Sequence, residues 1–333
     1  MWYKEDNAQK GITVSSRIRL ARNLSDLPFS SRMSQNDMSV LKERVKSALK
    51  EIEESGGIAL KYIESDDIPE QELAAMVERH IISPDFARNH RCRAVAISED
   101  ESISIMIGEE DHLRIQVIVS GDDIDKAYDL ADRVDTALNE RLGFAYHNTL
   151  GYLTECPTNI GTGLRASVML HLPVCESRGE INSIADAAGK IGLTVRGMYG
   201  EGSTAKASLY QVSNQITLGI SEQNAIENLK AIASQIVERE KHERTVLLPL
   251  KLEDTVFRAL GTLKYARLLD SEEFMNLISM IKLGIDEGII EDKGIKPIEL
   301  LIDAQPYMLR KKFSANSPEE RDEVRAKMIR ELL

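Results

Sequence analysis

The sequence is short of the residues that mark several large classes of protein. Three cysteines occur in 333 residues, Cys92, Cys156 and Cys175, with no C-x-x-C pair and no Cys/His spacing of a metal site. That argues against a disulfide framework and fits a reducing cytoplasm. No apolar run is long enough to span a bilayer, and the start, Met1-Trp-Tyr-Lys-Glu-Asp6, is polar without a signal-like apolar stretch, so no membrane association is expected. Basic residues are in deficit: 42 Lys and Arg against 54 Asp and Glu leave a net charge of -12. Such a chain repels a nucleic-acid backbone, and no direct nucleic-acid binding is expected. A Walker A sequence, a His-Arg-Asp kinase loop and a Gly-x-Gly-x-x-Gly in a Rossmann context are all missing. A nucleotide therefore has to be held by side chains rather than by a phosphate-cradling loop.

What is present reads as a globular chain, 42% hydrophobic and 29% charged, long enough for one large domain or two ordinary ones. Ile12 to Leu20 reads as a strand and turn. Met38, Leu41, Val45, Leu49 and Ile52 recur at helical spacing until Gly56-Gly57, and Pro69 to His80 is a second helix. Cys92 to Ile97, Ser102 to Ile107 and Leu113 to Val119 suit an antiparallel meander, followed by a helix from about Asp123 to Leu142 with Gly143 as its cap. A strand (Val168 to Leu172), a helix (Ile181 to Ile191) and a strand pair (Leu193 to Tyr199, Ser208 to Val212) come next. A long helix capped by Ser221 is expected to end at Lys241-His-Glu-Arg244, with Pro249 closing the region. Beyond it the pattern is helical, with capping boxes at Asp270/Glu273 and Ser317/Glu320. The expected fold class is α+β: an antiparallel sheet flanked by helices over residues 1–244, then an all-helical region over 245–333.

Two motifs carry chemistry. Cys156-Pro-Thr-Asn-Ile-Gly-Thr-Gly-Leu-Arg165 sets a cysteine before a Gly-rich turn and an arginine. Gly108-Glu-Glu-Asp-His-Leu-Arg114 gathers carboxylates before another arginine. Arg17 and Arg19, two apart, share one face of a strand, which is costly unless an anion lies between them. Arg196 lies beside a further Gly-bearing turn that holds Glu201. Arginine offers a planar fork of donors suited to phosphate oxygens, and carboxylates can steer a planar guanidinium. Taken alone, Glu109 to Asp111 also read as an acidic hairpin turn and Cys156 as a small buried residue.

Together these motifs resemble the catalytic domain of the guanidino (phosphagen) kinases. The resemblance implies that Arg17, Arg19, Arg114, Arg165 and Arg196 surround the phosphates of ATP, with Mg2+ bridging them. It implies Glu110 as catalytic base, with Glu201 and Cys156 at the guanidino group. The position that carries an adenine-stacking histidine in many relatives is Met169, with His171 two residues on. Small-molecule guanidino kinases carry a helical domain ahead of the Ser-Ser-Arg-Ile-Arg motif; here the motif begins at Ser15, so an open acceptor pocket that admits a protein-borne arginine is expected. The C-terminal Arg321-Asp-Glu-Val-Arg325-Ala326 offers two arginines one turn apart and a carboxylate, apt for phosphoarginine, though spacing alone favours a solvated helix with salt bridges.

The whole arrangement is similar to the bacterial protein-arginine kinases of the McsB type. That likeness implies Arg321, Asp322 and Arg325 as phosphoarginine-binding residues. As partners it implies protein substrates engaged through arginine, a zinc-binding activator protein, a heat-shock repressor and a Clp ATPase/protease. A phosphagen kinase for a free guanidino compound and a non-catalytic phosphoarginine-reading adaptor are the alternatives. The oligomeric state stays open, a homo-oligomer included.

Overall fold

The computed structural model describes residues 1–197, 206–247 and 249–333. A short arm, with a 3-10 turn at Trp2–Lys4 and α1 (Asp6–Gln9), leads into β1 (Thr13–Arg22). Helix α2 (Gln35–Glu54) opens on a capping box between Ser34 and Asp37 and buries Leu41, Val45, Leu49 and Ile52. β2 (Lys61–Glu64), α3 (Glu70–Glu78) and α4 (Pro84–Arg88) precede the meander β3 (Ala94–Ile97), β4 (Ile103–Ile107) and β5 (Leu113–Ser120). α5 (Ile124–Leu142) stops at Gly143, whose φ of 68° is left-handed. A small hairpin follows, β6 (Tyr146–His147) with β7 (Gly151–Tyr152), then β8 (Leu164–His171), α6 (Pro173–Ser177), α7 (Ile181–Gly189), β9 (Leu193–Gly197) and β10 (Leu209–Asn214). The rest is helical: α8 (Glu222–Val246), α9 (Pro249–Tyr265), α10 (Ser271–Asp286), α11 (Pro297–Asp303), α12 (Pro306–Phe313) and α13 (Pro318–Leu332).

Three local expectations change. Cys92 stands at a φ of 62°, so the strand expected from it starts at Ala94. The long helix continues past Arg244 to Val246, and Pro249 begins α9 instead of closing a region, a first-turn place where its missing N–H is not needed. Asp270 accepts from the N–H groups of Glu272 and Glu273, both at 2.8 Å, a one-way cap rather than a capping box.

The strands form one antiparallel sheet in the order β2-β3-β4-β5-β1-β8-β10-β9. Alternation sorts its two faces. Ile18, Leu20, Ile115, Val117, Leu164, Ala166, Val168 and Val212 point to one side, where α2, α5 and α8 cover them in the main core. The opposite side carries polar residues along β1, β5, β8 and β10. One end of that side is covered by a second core, in which Trp2, Tyr3, Ile118 and Leu209 meet Leu263, Phe274, Ile278, Ile298 and Leu301.

The N-terminal arm is clamped to the C-terminal helices. Lys282, 1% exposed, donates to the carbonyls of Gln9 at 2.9 Å and Gly11 at 2.7 Å and pairs with Asp286 at 3.0 Å. The Gln9 side-chain oxygen in turn accepts the N–H of Ile298 at 2.9 Å, at the start of α11. These contacts fix the second core against the sheet beside the site described next.

Candidate active site

The register of the central strands gathers the arginines. Arg19 on β1 lies directly opposite Arg165 on β8, Arg114 on β5 is opposite Ala21, and Arg196 on β9 is opposite Gln211 on β10. Arg17, Arg19, Arg114, Arg165 and Arg196 all line one cleft on the polar side of the sheet. Like charges directly opposite on neighbouring strands destabilise a sheet. Burial, then the Arg114 and Arg165 charges, lowers the Arg17 pKa to about 10. The same causes, with Arg17 added, hold Arg19 well below the ordinary arginine value. Arg19 Nε is buried and has no hydrogen-bond partner among the described residues. The cleft is built for anions.

Neutral and acidic neighbours orient the guanidinium groups. Arg17 donates to the Gln211 side-chain oxygen, and Arg165 to Ser213 Oγ at 3.1 Å. Arg196 Nε donates to Thr194 Oγ1 at 3.2 Å. Arg114 uses Nη1 alone to reach both oxygens of buried Glu109, at 2.8 and 2.6 Å, and Ser83 donates its hydroxyl to the same carboxylate. Sequence reasoning left Glu109 without a role and missed Ser83, Gln211 and Ser213. The last two could have been found by alternation along β10, since they stand opposite Met169 and Ser167.

The carboxylate end is a hairpin tip between β4 and β5. Gly108 takes a φ of 80° there and its N–H bonds the His112 carbonyl at 2.9 Å. The bend at this tip buries Glu109 and leaves Glu110 exposed at its rim, with its carboxyl partly desolvated. Asp111, buried, accepts from Asn23 Nδ2 at 2.6 Å and from the Glu155 N–H at 2.7 Å. That second bond ties the Cys156 segment to the hairpin and brings the Cys156 side chain near the Glu110 carboxylate. Cys156 Sγ also lies 3.0 Å from Thr158 Oγ1. Burial, then the Asp111 charge, raises the Glu110 pKa above the ordinary glutamate range, against the pull of Arg114. His112 is structural: its Nδ1 accepts the Leu24 N–H at 3.0 Å, and its Nε2 faces the Pro28 carbonyl at 2.8 Å. Glu201 lies outside the described residues.

His171 does not reach the cleft. Helix α10 covers it, and its Nε2 lies 2.8 Å from Ser279 Oγ. Met169 does line the adjoining space.

The C-terminal motif divides in two. Arg321 and Asp322 are half-exposed on α13, with Arg321 donating to the Asn316 carbonyl at 2.8 Å. Arg325, expected on the same ligand-facing side, is instead fully buried. It donates to the carbonyls of Ala304 and Leu269, to Ser271 Oγ at 2.9 Å and to Asp322 Oδ1 at 2.7 Å. Its donors are spent on holding helix ends together and on orienting Asp322.

Residues 40–243 match the family described as ATP:guanido phosphotransferase, C-terminal catalytic domain, and residues 249–333 match the Protein-arginine kinase McsB C-terminal domain. A protein named protein-arginine kinase from Halothermothrix orenii is 43% identical over 334 residues, 99% of this chain and 95% of that protein. One of the same name from Brevibacillus brevis is 42% identical over 343 residues, 100% of this chain and 94% of that protein. Among solved structures, a duplicated taurocyamine kinase from Schistosoma mansoni with bound transition-state-analogue components shares 27% identity at a TM-score of 0.62, over 70% of this chain and 33% of that one. Lombricine kinase has the same fold, at 22% identity and a TM-score of 0.62 over 74% of this chain and 70% of that chain.

Two outcomes test this geometry. Arg19→Met removes one of the crowded charges, so the ligand-free variant is expected to melt no lower than wild type. The rise in melting temperature that inorganic tripolyphosphate gives the wild type is expected to shrink in the variant; an undiminished rise would take Arg19 out of the anion site. In urea denaturation, Arg325→Ala is expected to cost about 3–5 kcal/mol, because it empties a fully buried side-chain site and leaves the Ala304 and Leu269 carbonyls and Ser271 Oγ without their donor. Arg321→Ala is expected to stay within roughly 0.5 kcal/mol, as a surface change.

Proposed function

The chain belongs to the protein-arginine kinases, ATP-using guanidino phosphotransferases, and from that premise we propose how its residues carry the reaction. The observation that carries the proposal is the run of five arginines along one sheet face, with Glu110 and Cys156 neighbours at the adjoining hairpin tip. The arginines hold the phosphates of ATP. The guanidinium of a protein-borne arginine docks at the hairpin tip, steered by Glu110, Cys156 and Glu201. A guanidine nitrogen attacks the γ-phosphorus, the bond to the bridging oxygen of ADP breaks, and the proton lost from nitrogen passes to Glu110.

Phosphoryl transfer spreads charge over the equatorial oxygens, so fixed cations supply most of the stabilisation. Mg2+ adds charge neutralisation when bound. The buried Glu109 carboxylate is already committed to Arg114 and Ser83, so the ion would ride on the phosphates themselves. Glu109 leaves Nη2 of Arg114 for a phosphate oxygen.

In the same proposal Arg321 and Asp322 read phosphoarginine: one cation for the phosphate, one carboxylate for the guanidino group. Arg325 supports them from beneath. The resemblance to the McsB-type kinases supports the wider setting: an enzyme of the cytoplasm that marks proteins for a Clp protease, inactivates a heat-shock repressor and responds to a zinc-binding activator.

The direct test is mass spectrometry, at non-acidic pH, of an unfolded arginine-containing protein incubated with this chain and Mg-ATP. Phosphate is expected on protein arginines; phosphate on free arginine alone, run in parallel, would make the acceptor a small molecule. Glu110→Gln is expected to cut turnover by about 10²–10⁴, the range of general acid–base catalysis. Cys156→Ala is expected to cost about 10²-fold through lost orientation. The base must be deprotonated, and its pKa is raised, so kcat/KM is expected to fall with decreasing pH at values above those of an ordinary glutamate. Glu110→Gln should abolish that acidic limb, and a variant that keeps it would assign the limb elsewhere.

A further inference from the structure

The stem of the small β6–β7 hairpin starts at the acceptor end of the cleft. Asn23 Nδ2 donates both to Asp111, next to Glu110, at 2.6 Å and to the Leu153 carbonyl at 3.0 Å. The Leu153 N–H bonds the Ala145 carbonyl at 2.9 Å. Tyr146 and Tyr152 pair one step further out, their rings edge to face at 5.3 Å. Neither strand joins the large sheet. Residues Tyr146 to Leu150 are all exposed.

One edge of this hairpin is spent and the other is open. Tyr152 exchanges two backbone bonds with Gly161, donating at 2.8 Å and accepting at 3.3 Å. In an antiparallel pair, directly opposed residues turn their N–H and C=O groups either towards each other or both away. Tyr152 turns its groups away to Gly161, so Tyr146 presents its own on the opposite edge, where no described residue takes them. An edge with free backbone groups pairs readily with another extended chain. Two large apolar side chains stand beside it, Tyr146 at 59% and Leu150 at 42% exposure.

The length of an arginine side chain ties this edge to the acceptor site. A guanidino group at Glu110 and Cys156 leaves its own Cα about 6–7 Å away, and each flanking residue of an extended chain adds up to about 3.3–3.6 Å. Neighbours two or three positions from the target arginine therefore reach Tyr146. The rim between is acidic: Glu110 is exposed, and Glu155, whose N–H bonds Asp111, holds its carboxylate 2.7 Å from Ser31 Oγ. Its sign matches an arginine-bearing segment.

We propose that β6 is the docking edge for the substrate chain. An extended, arginine-bearing segment of an unfolded protein pairs with the Tyr146 backbone, and apolar residues flanking its arginine lie on Tyr146 and Leu150. Backbone bonds supply affinity for any sequence, and the two side chains supply preference. The inference rests on the protein-arginine reading above and adds where the chain around the target lies.

The test uses two capped peptides with one central arginine, of three and of nine residues, the longer with apolar flanks. Each is incubated with the full-length chain and Mg-ATP, and kcat/KM is read by mass spectrometry at non-acidic pH. The wild type is expected to favour the longer peptide by about tenfold, the scale of two net hydrogen bonds. Tyr146→Ser combined with Leu150→Ser is expected to raise KM for the longer peptide and leave the shorter one unchanged. Backbone N-methylation of the longer peptide beside its arginine is expected to weaken it with the enzyme untouched. Equal use of the two peptides, a double variant that keeps the preference, or phosphate on an unfolded protein but on neither peptide would overturn the docking edge. So would an equal loss on both peptides, which makes the hairpin a support for the Cys156 loop, or, with a lower sedimentation coefficient, a contact between two copies. An absence of phosphate on the peptides and on the protein alike would overturn the kinase reading itself.

Discussion

Like charge confined to one face of a sheet is the constraint that the rest of this structure serves. Three adjacent strands bring Arg17, Arg19, Arg114 and Arg165 together, and Arg19 faces Arg165 across a ladder with no residue between them. Proteins tolerate such crowding where the surroundings over-determine it. Here the opposite face of the same strands is continuous apolar core, closed by α2, α5 and α8. A register slip of one residue would turn the arginines into that core, so burial on one side fixes the charges on the other. Glu109 and Ser83 then aim one guanidinium, while Gln211 and Ser213 aim two more.

The carboxylate chemistry depends on a division of labour among three consecutive residues. Glu109 points in and partners a cation, Glu110 is exposed at the tip, and Asp111 points in and anchors the cysteine loop. In the proposed mechanism one acidic triplet thus serves the phosphate end, the base and the cysteine loop with a single hairpin. The same economy appears in α13, where Arg325 is spent beneath the surface so that Asp322 is held at it. A buried arginine with each nitrogen engaged is a strut.

Local order was legible in the sequence. Helical periodicity marked α2 and α8, alternation marked the meander, and caps at Ser221 and Ser317 were readable from residue type. The grouping of five arginines was legible through resemblance, since composition alone leaves them scattered over 180 positions between Arg17 and Arg196 as counted from both ends. Long-range choices were not legible. Arg325 is buried with Ala326 and Ile329, while Arg321, one turn earlier along the same side of α13, is half-exposed. His171 follows Met169 by one strand repeat, yet a helix more than a hundred residues later seals it, the Ser279 contact spanning 108 positions. No local pattern records which stretch of sheet a distant helix will cover.

The clamp between the arm and the C-terminal helices also sets a timetable. The bond from Gln9 to Ile298 joins residues 289 positions apart. Trp2 and Tyr3 are synthesised well before the helices that bury them. Contacts of such separation carry a large loop-closure cost and form late. A nascent chain can complete the sheet and its crowded cationic face well before that face acquires its apolar border.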